Sequence, residues 1–147
     1  MPKSAKITLI ILDCNALIHR SFHALPDFRT PKGELVNAVY GFASILLKVL
    51  REFNPDYVAA AFDVAGPTFR DEEYKEYKAK RVKAPDELYE QIPKIKEVLS
   101  AFNISIYEKQ GFEADDVIGT IAKLIERKQV YPKIETIIVS GDLDTLQ

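Results

Sequence analysis

Seven acidic residues stand where carboxylates can work together: Asp13, Asp63, Glu113, Asp115, Asp116, Asp142 and Asp144. Asp13, Asp63 and Asp142 follow apolar runs at residues 7–12, 57–62 and 136–139. Glu113, Asp115 and Asp116 open an amphipathic stretch, and Glu113 and Asp116, three apart, share one face of a helix. Two bare carboxylates about 5 Å apart repel by roughly 3 kcal/mol in a medium of effective dielectric near 20. A cluster of this size is therefore costly unless cations neutralise it, and all-oxygen ligation favours Mg²⁺ or Mn²⁺. The plainer reading is that strand-terminal aspartates begin turns and that acids near a helix start favour its dipole. That accounts for any one residue, but not for three separate buried strands each ending in aspartate. His19 and His23, four apart on a predicted helix, lack a third ligand in sequence and read as packing or hydrogen-bonding residues rather than a zinc site.

A second segment carries the opposite charge. From Tyr74 to Lys83 there are five basic residues, Lys75, Lys78, Lys80, Arg81 and Lys83, against the single acid Glu76, with Tyr77 among them. Cations interleaved with aromatics suit a phosphate backbone with stacked bases. A solvated helix with pairs such as Asp71 to Lys75 is an equal reading of the segment alone. Its place directly after Asp63 favours the first, because it sets cations for a phosphate backbone beside an acidic rim.

Helices and strands must position both groups. The run at residues 7–12 is almost continuously apolar and β-branched, the pattern of a strand buried on both faces of a parallel sheet, and residues 57–62 repeat it. Val39, Tyr40, Ala43, Leu46, Leu47, Leu50 and Phe53 recur at helical spacing until Asn54-Pro55-Asp56 breaks the pattern. Leu88, Ile92, Ile95, Leu99 and Phe102 form another helical stripe, which Pro93 either kinks or starts. A short strand at residues 104–107 follows. Val117, Ile118, Ile121 and Ile125 mark a third helix, ahead of the strand at residues 136–139. Alternation of this kind predicts an α/β fold, a predominantly parallel sheet with helices on both faces and ligands at the carboxyl ends of the strands.

With 147 residues, 47% apolar and 29% charged, the chain has the length and composition of one globular domain rather than a disordered or disulfide-stapled protein. Lys plus Arg total 20 against 22 Asp plus Glu, so any affinity for nucleic acid comes from local clustering, not net charge. Cys14 is the only cysteine, which excludes an internal disulfide and a Cys-based zinc site and points to a reducing, cytoplasmic setting. The first apolar run is too short for a signal-peptide core, and no membrane span is expected.

Taken in order, Asp13 with residues 15–25, Ala38-Val39-Tyr40-Gly41-Phe42, Phe62-Asp63, Phe69-Arg70, Tyr77-Lys78-Ala79-Lys80-Arg81, Gly111-Phe112-Glu113-Ala114-Asp115-Asp116 and Gly141-Asp142-Leu143-Asp144 resemble the 5′-nuclease family found at the N-terminus of bacterial DNA polymerase I. That family is similar to flap endonucleases and phage 5′-exonucleases. The resemblance implies a resolvase-like or PIN-like fold over residues 1–147, with a basic helical arch between the second and third strands. It also implies divalent-metal-dependent hydrolysis of phosphodiester bonds at DNA 5′ ends and flaps, in primer removal and repair. Metal ligands are implied at Asp13, Asp63, Glu113, Asp115, Asp116, Asp142 and Asp144, holding two or more Mg²⁺ or Mn²⁺ ions. Catalytic cations are implied at Lys78 and Arg81, and nucleic-acid contacts at Arg70, Tyr77, Lys78, Lys80, Arg81 and Lys83. Implied partners are DNA with 5′ ends or flaps, RNA primer–DNA hybrids and a covalently linked polymerase domain, with the protein associated with the nucleoid. Cys14 stands where the family commonly has glycine, and Leu143 where lysine is frequent; neither removes a ligand. The sequence ends at Gln147, ahead of the family's further aspartates and its helix-hairpin-helix element, which implies a truncated domain of weak activity alone.

Two other classes compete. One is a structure-specific nucleic-acid binding module whose catalysis has lapsed, which loss of a ligand would favour. The other is an aspartate-dependent phosphotransferase with Asp13 as nucleophile; that chemistry wants Asp-x-Asp after the first strand, where the chain has Asp13-Cys14-Asn15.

Overall fold

The computed structural model describes residues 6–64, 84–128 and 133–141. Four strands, β1 (Ile7–Asp13), β2 (Tyr57–Ala61), β3 (Ser105–Tyr107) and β4 (Ile134–Val139), form one sheet in the order β3-β2-β1-β4, with every pairing parallel. Among the described residues five helices accompany them: α1 (Cys14–Ala24), α2 (Asn37–Phe53), α3 (Asp86–Tyr89), α4 (Ile92–Ala101) and α5 (Ala114–Lys128).

Alternation along β1 divides the core. Ile10 and Leu12 join Ala60 and Phe62 against α1, α2 and α4, in a layer completed by Leu17, Ile18, Phe42, Leu46, Ile95 and Leu99. Leu9 and Ile11 face the other way with Ala59 and Ala61, and there Ala114 and Ile118 of α5 cover them. Both faces of β1 are thus apolar, as its unbroken run requires. β4 differs from the expectation of a third buried strand. Among the described residues it is one of the two outer strands of the sheet, half-exposed along its length, with Ile138 at 38% exposure, and it ends at Val139. The aspartate expected at its end, Asp142, lies outside the described residues, as does the segment expected to form the basic arch.

Helix ends explain several boundaries. α2 stops because Asn54 adopts a left-handed conformation, φ 40°, and donates its backbone N–H to the Leu50 carbonyl. Asp56 then docks beside β1, its carboxylate accepting from the Thr8 N–H at 2.8 Å. Pro93 lies in the first turn of α4, so it starts that helix rather than kinking it. The α2 N-terminus has Val36 at its cap position, which has no side-chain acceptor. Gln91 supplies one from the start of α4: its Oε1 accepts from the Ala38 and Val39 N–H groups at 2.8 and 3.2 Å, while its Nε2 donates to Asn37 Oδ1 at 3.0 Å. Gln91 and Asn37 are both almost wholly buried, so this amide pair satisfies groups that water cannot reach.

α1 and α2 approach closely at Gly41, where a Cβ atom would meet Ser21 Cβ at 2.6 Å and Leu25 Cδ1 at 2.9 Å. Gly119 in α5 has nothing within 4 Å of that position. Gly41→Ala should therefore destabilise the protein by about 1–3 kcal/mol through forced separation of the two helices. Gly119→Ala should stabilise it by up to about 1 kcal/mol through helix propensity. Urea unfolding monitored by circular dichroism checks both signs; equal shifts in one direction would show that the close α1–α2 approach is not a constraint.

Candidate functional site

Parallel pairing places the carboxyl ends of β1 and β2 side by side. Asp13, the last residue of β1, is in register with Ala61, the last of β2, and Asp63 lies two residues beyond. Asp13 is only 4% exposed. It occupies the cap position of α1, yet its carboxylate makes no capping bond there. Instead Asp13 Oδ2 accepts a hydrogen bond from the Ser140 hydroxyl at 2.8 Å, across from the end of β4. Helix capping thus does not explain this aspartate.

Asp63 is exposed and reaches toward α5. Its Oδ1 accepts from the N–H of Ala114, the first residue of that helix, at 2.5 Å. Its own N–H donates to Asn15 Oδ1 in the first turn of α1 at 2.8 Å. Glu113 stands immediately before α5, one residue ahead of the helix start, and its carbonyl accepts from the Asp116 N–H at 3.1 Å. In return the Glu113 N–H donates to Asp116 Oδ2 at 3.0 Å, so the two residues meet at the first turn. Glu113 is buried at 7% exposure, Asp116 half-buried and Asp115 exposed. For Asp63 and Asp116 the plainer expectation is partly realised, because both carboxylates accept from N–H groups at the start of α5, where the helix dipole favours negative charge.

Asp13 thus stands at the end of β1, next to the end of β2, while Asp63, Glu113 and Asp116 meet at the start of α5. Asp142 and Asp144, and the basic residues Arg70, Tyr77, Lys78, Lys80, Arg81 and Lys83, lie outside the described residues. Among the described residues no three Asp, Glu, His or Cys side chains group so as to hold a metal ion by themselves. Mg²⁺ asks less than that, since it keeps several waters and binds through one or two carboxylates. The donor set, all oxygen and set at strand and helix ends, fits that requirement in kind.

Three neighbours are assigned no role by the sequence, although Asn15 and Arg20 lie within the first motif of the resemblance. Ser140 and Asn15 hold the two strand-end aspartates by contacts 127 and 48 residues apart in the chain. Arg20 lays its stem over Gly141, with Cδ at 3.4 Å from where a Cβ would stand, and keeps the residue exposed beside the acidic rim. His19 and His23 lie on α1 with ring centroids 6.4 Å apart. Cys14, next to Asp13, is fully buried, and its Sγ lies 3.7 Å from the Leu12 carbonyl oxygen. Burial first, and the adjacent Asp13 carboxylate second, push its thiol far above the ordinary range. It is therefore a small core residue, neither nucleophile nor ligand.

Comparison with known proteins bears on this arrangement. The family described as 5′-3′ exonuclease, N-terminal resolvase-like domain, matches residues 8–147. DNA polymerase I of Chloroflexus aurantiacus is 50% identical over 141 residues, covering 95% of this chain and 14% of that protein. DNA polymerase I of Bacillus subtilis is 47% identical over 139 residues, covering 95% of this chain and 15% of that protein. The chain therefore spans about one-seventh of the length of these relatives. A solved T5 protein co-crystallised with metal ions superimposes with a TM-score of 0.63 at 25% identity, covering 95% of this chain and 51% of that one. The T5 5′-exonuclease with bound zinc gives 0.58, with the same identity and coverage.

The buried thiol yields a direct test of the packing beneath the carboxylates. In native protein up to about pH 9, Cys14 should react with a chromogenic thiol reagent no faster than the protein unfolds, and stoichiometrically once guanidinium is added. Rapid labelling of folded protein would place the α1–β1 junction, and Asp13 with it, in a more open setting.

Proposed function

The chain belongs to the 5′-3′ exonuclease N-terminal resolvase-like domain family, and from that premise we propose that it hydrolyses phosphodiester bonds at DNA 5′ ends and 5′ flaps with the help of divalent cations. The observation that carries the reading is that β1 and β2, paired in parallel, end side by side with Asp13 closing one and Asp63 just beyond the other, and that Asp63 is bonded to the start of α5, where Glu113 and Asp116 stand. Asp13, Asp63, Glu113, Asp115 and Asp116, with Asp142 and Asp144, would hold Mg²⁺ or Mn²⁺. When bound, such ions supply activation of the attacking water and stabilisation of the leaving oxygen during in-line attack on phosphorus.

The protein's own groups do the rest. Ser140 and Asn15 fix the strand-end aspartates, so that their positions are set before substrate arrives. In the basic segment Lys78 and Arg81 would direct positive charge at the scissile phosphate, Arg70, Lys80 and Lys83 would hold neighbouring phosphates, and Tyr77 would stack on the terminal base. Arg20 adds one more cation at the same rim. Primer RNA paired to DNA presents the same phosphate pattern and belongs to the proposed substrate range. A linked polymerase domain, as in the DNA polymerase I relatives, belongs to the proposed partners.

Mn²⁺ at millimolar concentration should raise the melting temperature, because ligand binding to the native state stabilises it by mass action. Asp63→Asn should diminish that rise. If Mn²⁺ leaves melting unchanged while Asp63→Asn and Asp13→Asn alter it equally with and without the ion, the carboxylates are neighbours without being a metal site.

Cleavage of a labelled 5′-flap duplex, resolved on denaturing gels, should require Mn²⁺ or Mg²⁺ and stop with EDTA. Lys78→Ala should lower turnover by roughly 10²–10³ with little change in substrate affinity, as expected of a cation aimed at charge developing in the transition state. Lys83→Ala should mainly weaken binding. Tight flap binding with no product under any divalent cation would instead favour the nucleic-acid binding module.

A further inference from the structure

One lysine ties together the two segments that present the acids. Lys96 projects from α4 with its side chain 34% exposed, and its ammonium lies 5.0 Å from the centroid of the Phe62 ring. The same ammonium donates to Glu108 Oε2 at 2.9 Å. Phe62 immediately precedes Asp63, is 1% exposed, and donates its backbone N–H to the Tyr107 carbonyl at the end of β3. Glu108 follows β3 and opens the short connection, residues 108–113, that delivers Glu113 and the start of α5. That connection turns through Gly111 at φ +85°.

At its far end, the same pair of segments is joined again by the bond from the Ala114 N–H to Asp63 Oδ1. The β2 exit and the β3–α5 connection are therefore fastened by side chains at two points in addition to the Phe62–Tyr107 backbone bond, one an ion pair capped by a cation–π contact and the other a capping bond to a carboxylate.

We propose that Lys96 is a positioning residue for the acidic site: by spanning Phe62 and Glu108 it holds the segment bearing Asp63 at a set distance from the segment bearing Glu113. The inference rests on the metal-binding reading above. It differs from a plain surface ion pair, which contributes little to stability and nothing to a site one residue away. It differs also from a pure charge effect, since removing a cation beside carboxylates should tighten, not weaken, the binding of a metal cation.

The double variant Lys96→Met, Glu108→Gln separates these cases because it leaves net charge unchanged. Mn²⁺ binding measured by titration calorimetry on the folded protein, with circular dichroism to confirm folding, is the readout. The dissociation constant should rise by about tenfold, the low end of the loss seen when partners of metal ligands are removed. Lys96→Arg, which keeps both the ion pair and the contact with the ring, should stay within about twofold of wild type. An unchanged or lower constant in the double variant, or an equal loss in Lys96→Arg, would overturn the proposal. A wild-type protein that takes up no Mn²⁺ would overturn the metal-binding reading itself, and the proposal with it.

Discussion

Parallel pairing of β1 with β2 is the constraint on which the rest depends. Parallel strands carry their carboxyl ends to the same rim, so the register that sets Asp13 opposite Ala61 also decides that Asp63 emerges beside it. A shift of one residue would turn the apolar set of β1, Leu9 and Ile11 against Ile10 and Leu12, onto the wrong layers. Packing on both faces, by α1, α2 and α4 on one side and α5 on the other, therefore locks the positions of two carboxylates as a by-product of burying hydrocarbon.

Carboxylates brought together in this way repel, and the fold meets that cost with donors rather than with neighbouring cations alone. Asp13 takes the Ser140 hydroxyl, Asp63 the first N–H of α5, and Asp116 the N–H of Glu113. Helix starts have N–H groups with no partner inside the helix, so the acids and α5 satisfy each other. A carboxylate has acceptor capacity for more than one partner. Service as a cap therefore leaves Asp63 and Asp116 with acceptor capacity to spare while it limits the rotation of each side chain.

The same economy appears where the molecule is held away from the site. Gln91 caps α2 from 53 residues away, and Gly41 lets α1 lie close enough to α2 for the β1–α1 junction to be buried. Cys14 fills that junction with a thiol kept protonated by its surroundings. Site geometry is thereby coupled to core packing over a large part of the chain, and substitutions remote from the acids can reach them through α1.

By itself the sequence determined what short-range patterns encode. Continuous apolar runs marked β1 and β2, 3.6-residue spacing marked α2, α4 and α5, Asn54-Pro55-Asp56 marked the end of α2, and aspartates after buried strands marked the rim of an α/β sheet, while Pro93 allowed either a kink or a helix start. Family resemblance followed from the order of those same residues. Tertiary structure alone decided that β4 is an outer strand among the described residues, and that Ser140, Asn15 and Gln91 are the partners of distant polar groups. The reason is range. Periodicity and capping are set by neighbours within a few residues, whereas these hydrogen bonds join groups 48 to 127 residues apart, and only the packed sheet brings them within reach.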